Sequence, residues 1–310
     1  MRQRLAILCP GQGAQHPQLF DLANTDPRVA SLLAQWPVAA ACGVPLADAL
    51  TDPALLYANR IAQPLIVAST LAMWEALQSR IPVPTLVAGY SIGELSAYGI
   101  AGTLPAEELI ALAATRARAM DACTNPSARQ TLLAVSGLTA PAVQALLEQH
   151  HLAIAIQNGD DSLIVGGMHD DLCAAEMRLQ QLDAQLTPIQ VEVASHTCLM
   201  QDAVEPFRTV LQQCQFASFK MPVLAGISAD PVSDKATAVS LLSRQIAETI
   251  RWDLCMDACA EAGITVALEL CPGGALSRML RARHPGIECR SVVDFRSLAG
   301  IVTWLERQFD

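Results

Sequence analysis

Short apolar runs alternate along this chain with longer stretches in which apolar residues recur every three or four positions, the pattern of a layered α/β protein. Leu5 to Cys9 is unbroken apolar sequence and predicts a first strand, ending in Pro10-Gly11-Gln12-Gly13. After an irregular segment rich in Pro and Asp, the spacing of Leu65, Ala68, Leu71, Ala72 and Ala76 predicts a helix over Pro64–Ser79. Pro64 is expected in its first turn, where a missing N–H costs nothing. Residues 85–90 predict a strand, the residues after Ser91 a helix, and Gly102 a turn. Another helix is expected to open near Pro105, with Glu107 and Glu108 favouring its N-terminus.

The middle of the chain changes character. Strand 131–136, helix 141–150, strand 152–157, a Gly-Asp-Asp turn at 159–161, strand 162–166, helix 169–183 and strand 186–193 follow one another. That β-α-β-β-α-β order is the ferredoxin-like unit, able to form its own small sheet with two helices on one face. The α/β pattern then resumes with strand 222–227, helices 236–249 and 253–262, strand 264–270, a Cys-Pro-Gly-Gly turn at 271–274 and a last helix at 297–307. The expected organisation is a large α/β domain of residues 1–128 and 194–310, interrupted by a ferredoxin-like domain of residues 129–193. A cleft at such a junction is a favoured place for a ligand.

Within this pattern one junction carries chemistry. The apolar run Leu86-Val87-Ala88 stops at Gly89-Tyr90-Ser91-Ile92-Gly93 and continues with helical spacing, which reads as a strand, a sharp elbow carrying a serine, and a helix. The two glycines allow close packing there, and Ser91 is held exposed at the helix N-terminus as a candidate nucleophile. The N–H of Ile92 is then free to face a developing oxyanion in the positive field of the helix end. The competing reading is a serine in a tight turn.

A serine hydroxyl needs a general base, and histidine is the usual one. His150, His151 and His169 fall on the small-domain helices and His16 in a loop near the first strand, which leaves His196 and His284. His196 ends Val191-Glu192-Val193-Ala194-Ser195-His196, where the chain re-enters the large domain at the cleft, and that position favours it over His284 in the polar run before Pro285. On the helix from Pro105, Leu109, Leu112, Ala113, Arg116 and Met120 share one side, so an arginine interrupts an apolar face. No Asp or Glu lies three or four residues from Arg116. A bound carboxylate is one candidate partner, held through two parallel hydrogen bonds; a side chain that snorkels to water is the other.

Composition narrows the class. The chain has 310 residues, 52% hydrophobic and 16% charged, and can bury a large core. A net charge of -10 disfavours nucleic-acid binding. Ten scattered cysteines contain no C-x-x-C pair, and Cys255 and Cys259 have helical spacing, so reduced thiols and a cytoplasmic home are expected. Arg2 and Arg4 precede an apolar run too short for a signal peptide, and no stretch suits a bilayer span.

Four separated motifs, taken together, resemble the malonyl-CoA:acyl-carrier-protein transacylase family over nearly the whole chain. They are Pro10-Gly11-Gln12-Gly13-Ala14-Gln15, Gly89-Tyr90-Ser91-Ile92-Gly93-Glu94, Arg116 placed 25 residues after the serine, and Ala194-Ser195-His196-Thr197-Cys198-Leu199-Met200. The resemblance implies an α/β-hydrolase-like large domain with the ferredoxin-like insertion. It also implies a Ser91–His196 dyad without a catalytic aspartate, and a free malonyl carboxylate held by Arg116. Backbone N–H groups of Gln12 and Ile92 would form the oxyanion hole, and Gln245 would orient the histidine through its carbonyl. The implied substrates are malonyl-CoA and the thiol of an acyl-carrier protein, with no metal and no tightly bound cofactor.

Two departures refine this. Tyr90 stands where the lipid-synthesis members usually have His, and Cys9 where they have Phe. Gly89-Tyr90-Ser91-Ile92-Gly93-Glu94-Leu95 and the following Gly99-Ile100-Ala101-Gly102 look closer to the epsilon subunit of malonate decarboxylase, which implies that decarboxylase's carrier subunit as partner; a transacylase of fatty-acid or polyketide synthesis is the alternative. Another class also stands open: a serine hydrolase with the order Ser91, Asp253 or Asp257, and His284. A catalytically idle scaffold subunit is a third. The basic run Arg278, Arg281, Arg283 and Arg290 suits either CoA phosphates and an acidic carrier or a solvated face.

Overall fold

A computed structural model describes residues 3–125 and 127–309; Arg2, read above with Arg4, lies outside them. The first apolar run is β1 (Leu5–Cys9), and the Pro- and Asp-rich segment after it winds into five short helices, α1 (Asp21–Asn24), α2 (Pro27–Gln35), α3 (Val38–Cys42), α4 (Leu46–Thr51) and α5 (Pro53–Leu56). Asp26 and Asp52 cap the starts of α2 and α5 by accepting from Arg28 N and Ala54 N, each just before a first-turn proline. Helix α6 (Asn59–Leu77), β2 (Leu86–Gly89), α7 (Gly93–Ile100) and α8 (Ala106–Asp121) follow.

Helix α6 starts five residues earlier than expected, so Pro64 lies inside it rather than in its first turn. Every residue from Ile61 to Trp74 is buried. Packing on all sides of the helix outweighs the one backbone hydrogen bond that the proline cannot make.

The middle of the chain forms β3 (Gln130–Ser136), α9 (Ala140–Gln149), β4 (Ala153–Gln157), β5 (Ser162–Met168), α10 (His169–Gln181) and β6 (Gln185–Ile189). Then come α11 (Gln201–Gln213), β7 (Val223–Leu224), β8 (Pro231–Val232), α12 (Lys235–Arg244), β9 (Ile250–Arg251), α13 (Trp252–Glu261), β10 (Val266–Glu269), α14 (Ala275–Arg283), β11 (Glu288–Ser291) and α15 (Leu298–Phe309). The sequence pattern did not single out α11, α14, β8, β9 or β11. Strand β6 stops four residues short of the expected 193, and α12 stops at Arg244 instead of 249, which leaves Gln245 at its C-cap.

Six strands form one sheet in the order β11-β10-β1-β2-β7-β8, parallel except for the edge strand β8. β1 and β10 are buried along their whole length, as strands covered by helices on both faces must be. The second sheet runs β6-β3-β5-β4-β9, and its first four strands have the ferredoxin-like order. Leu133 and Val135 on β3 face a small core with Val143, Leu147, Leu172 and Leu179. Leu132, on the opposite face by the two-residue alternation, joins Leu8, Leu86 and Trp252 in a second core that packs against the large sheet. Strand β9 comes from outside the inserted segment and pairs in parallel with β4, with Thr249 Oγ1 donating to Ile154 O.

Gly89 and Gly93 place α7 against the sheet. A Cβ on Gly89 would overlap the Glu94 backbone, and one on Gly93 would overlap the Cys9 carbonyl. Both obstacles are backbone and cannot swing aside. Gly93→Ala is therefore expected to belong to the rare class of substitutions that cost more than ~4 kcal/mol, read as loss of the cooperative thermal transition.

Candidate active site

Ser91 follows β2 at the top of the parallel sheet with φ 54°, in the left-handed region that a non-glycine side chain seldom adopts. His196 shares that conformation, with φ 63°. Strain of about 1–3 kcal/mol at each such residue persists only where the surroundings dictate it. Here the two strained residues meet, Ser91 Oγ lying 2.8 Å from His196 Nε2.

The histidine is held from both ends. Its backbone N–H donates to Ile246 O at 2.8 Å, and its Nδ1 lies 2.5 Å from Gln245 O. A carbonyl only accepts, so Nδ1 carries the proton and Nε2 presents a lone pair to the serine hydroxyl. Burial first, and then the positive charge of Arg116, lower the His196 pKa to about 3 against the opposing bond to the Gln245 carbonyl. The imidazole is thus neutral at and well below neutral pH. Acylation of Ser91 is expected to stay level as pH falls through 6.5, the ordinary histidine midpoint, and to fail only in more acid solution as His196 protonates. Rapid-quench rates from about pH 2.5 to about pH 8, which brackets both the shifted and the ordinary histidine midpoint, check this.

Arg116 is 1% exposed, which excludes the snorkelling alternative. Its Nη1 donates to Gln63 Oε1 at 2.8 Å and its Nη2 to Gln245 Oε1 at 3.0 Å, while its Nε has no acceptor among the described residues. Burial lowers its pKa to about 10 and nearby Glu94 opposes that shift, so it remains a cation. Gln245 is the common member: its backbone carbonyl holds His196, its Oε1 meets Arg116, and its Nε2 donates to Ser91 O at 3.0 Å and Glu94 Oε2 at 2.7 Å.

The sequence reading gave no role to Gln63, and it took Glu94 only as part of the serine motif. Gln63 had a signal, as a polar residue inside the long apolar run of α6. Glu94 is fully buried, its pKa raised to about 7 by burial against the bonds from Gly226 N and Gln245 and the charge of Arg116.

Ile92 is buried directly after Ser91, and neither its N–H nor that of Gln12 donates to a backbone acceptor among the described residues. Gln12 also lines a cleft of about 870 Å³ between the α5–α6 corner and the small sheet, with Asn59, Asp121, Arg129 and Val193.

The hydrolase-type order does not assemble. His284 Nε2 is 2.8 Å from Asp257, which also binds Arg283 through both oxygens, and Asp253 is taken by Arg251. Three arginines of the basic run make contacts with their own chain: Arg281 to Cys289 O, Arg283 to Asp257 and Asp160, and Arg290 over the Phe295 ring. Tyr90 stacks edge-on against Trp252 and donates to Asn158 Oδ1 at 3.0 Å, tying the elbow to the small sheet's β4–β5 turn.

A serine at a strained strand-to-helix elbow, paired with a neutral histidine and next to a buried cation, defines an acyltransferase site, and residues 7–292 match the acyl transferase domain family. Malonyl CoA-acyl carrier protein transacylase of Mycobacterium bovis is 31% identical over 295 residues, covering 93% of this chain and 96% of that protein. The crystal structure of the Mycobacterium tuberculosis transacylase superposes with a TM-score of 0.86 at 29% identity, over 97% of this chain and 100% of that one. A malonyl-transacylase solved in complex with a type II polyketide acyl-carrier protein shares the fold, with a TM-score of 0.90 at 23% identity over 98% of this chain and 100% of that one. The chain belongs to the malonyl CoA-acyl carrier protein transacylase family. No helix among the described residues is long and apolar enough to cross a membrane.

Proposed function

We propose that the enzyme moves malonyl from malonyl-CoA to the thiol of an acyl-carrier protein in two half-reactions. Ser91 Oγ attacks the thioester carbonyl as His196 Nε2 takes its proton. The tetrahedral oxyanion sits against the N–H groups of Gln12 and Ile92, each worth about 3 kcal/mol in the transition state. The C–S bond breaks, the CoA sulfur takes the proton from His196, and malonyl remains as an ester on Ser91. His196 then accepts the proton of the carrier thiol, whose sulfur attacks the ester and returns Ser91 to its hydroxyl form. No step requires a metal or a bound cofactor. One observation carries this reading: Gln245 joins the Ser91–His196 pair to a buried, charged Arg116, so a carboxylate on the acyl chain and a carbonyl at the nucleophile are met by one rigid unit.

The names of the relatives support malonyl as the acyl group and a carrier protein as the acceptor, and they favour a place in fatty-acid or polyketide synthesis. A place in malonate decarboxylase rests on the Gly89–Leu95 and Gly99–Gly102 runs alone. Intact-mass analysis after mixing with malonyl-CoA tests the reaction. A malonyl adduct on Ser91 that discharges when a carrier protein with a free pantetheine thiol is added is the expected result; absence of the adduct would overturn it.

A further inference from the structure

Arg116 is flanked by amides, and each amide is anchored at its far end by a carboxylate. On one side Gln245 turns its Oε1 to Arg116, and its two N–H groups go to Glu94 Oε2 and Ser91 O. On the other the carboxylate is one amide further away: Gln63 turns its Oε1 to Arg116 and donates to Asn59 Oδ1 at 2.7 Å, while Asn59 Nδ2 donates to Asp121 Oδ1 at 2.8 Å and Ala117 O at 3.3 Å. We propose that Glu94, through Gln245, and Asp121, through Asn59 and Gln63, are positioning residues that hold the Arg116 guanidinium for an acyl carboxylate by fixing which end of each intervening amide faces it. This rests on the malonyl reading.

An amide can flip, and a flipped Gln245 or Gln63 would point N–H groups at a cation. An acceptor at the far end prevents that, since it demands the NH2 end for itself. Glu94 Oε2 also accepts from Gly226 N, which needs an acceptor at that place. Both carboxylates thus act on the arginine one or two amides away rather than as direct partners. That arrangement supplies orientation while leaving the Nε–H, buried and without an acceptor among the described residues, for the substrate.

The test compares Ser91 acylation rates with malonyl-CoA and with acetyl-CoA, by quenched intact mass, in the full chain. Glu94→Leu removes the acceptor and is expected to lower the malonyl-to-acetyl ratio roughly tenfold. Glu94→Gln keeps a carbonyl oxygen for Gly226 N and Gln245 Nε2, and is expected to hold the ratio within about twofold. Asp121→Ala tests the second relay at a half-buried site, with a loss of about threefold, whether or not Glu94→Leu folds. A ratio unchanged in Glu94→Leu and Asp121→Ala would overturn the proposal, as would equal losses on both substrates, the mark of a merely structural role. A fall in Glu94→Gln as large as in Glu94→Leu would assign the effect to charge and also overturn it. In each case a wild type that still prefers malonyl leaves the function intact; a wild type with no such preference sinks that reading and this one together.

Discussion

Alanine at position 196 is expected to slow formation of the acyl-Ser91 ester by roughly 10⁴-fold, the scale on which serine enzymes lose turnover with their base. The same change at position 284 is expected to leave the rate within about twofold. The contrast follows from where each imidazole points. His196 places a lone pair 2.8 Å from Ser91 Oγ with its other nitrogen locked to the Gln245 carbonyl. His284 is bound to Asp257, within a cluster that ties Arg283 to Asp160. A His284→Ala variant with a thousandfold defect, on the order of a lost catalytic group, would mean that the hydrolase order operates after all. Stopped-flow release of CoA and mass analysis of the adduct together separate loss of acylation from loss of transfer.

Truncating Arg116 to alanine is expected to lower kcat/KM for malonyl-CoA about 10²- to 10³-fold, because removing one side of a buried, hydrogen-bonded charge pair costs about 3–4 kcal/mol. The loss should fall on the acyl group that carries a carboxylate, so that selectivity over acetyl-CoA collapses. Arg116→Lys should recover only part of it, since an ammonium cannot reproduce the two-pronged contact with a carboxylate. Alanine also strands the oxygens of Gln63 and Gln245 in a buried site, so melting temperature must be measured beside kinetics. Equal losses for both thioesters would show that Arg116 serves the packing of α6 against α8 rather than recognition.

Much of this architecture was legible in one dimension because the relevant signals are local. The uninterrupted apolar runs of β1 and β2 and the glycine spacing at the elbow report on neighbours within a few residues, as does the β-α-β-β-α-β order of 130–189. The short strands β8, β9 and β11 were not legible. Two to four residues carry no usable periodicity, and these strands exist because a sheet edge is already present to receive them. Helix α14 was hidden for a related reason: its arginines read as a charged surface run, and the bonds that seat it, from Ser277 N to Glu269, Arg281 to a strand carbonyl and Arg283 to Asp257, all go to residues outside the helix.

The chain's one-dimensional pattern determined the parallel sheet, the inserted small domain, the serine elbow, and an arginine on an apolar face whose partner it left open. Only the tertiary structure brought His196 rather than His284 to Ser91, and buried Arg116 instead of letting it reach water. It alone showed that Gln63, Glu94 and Gln245 join into one network around the dyad. These side chains come from helices and turns far apart in sequence. Their contacts depend on the crossing of elements and on two left-handed residues, Ser91 and His196, whose strain only the assembled core can impose.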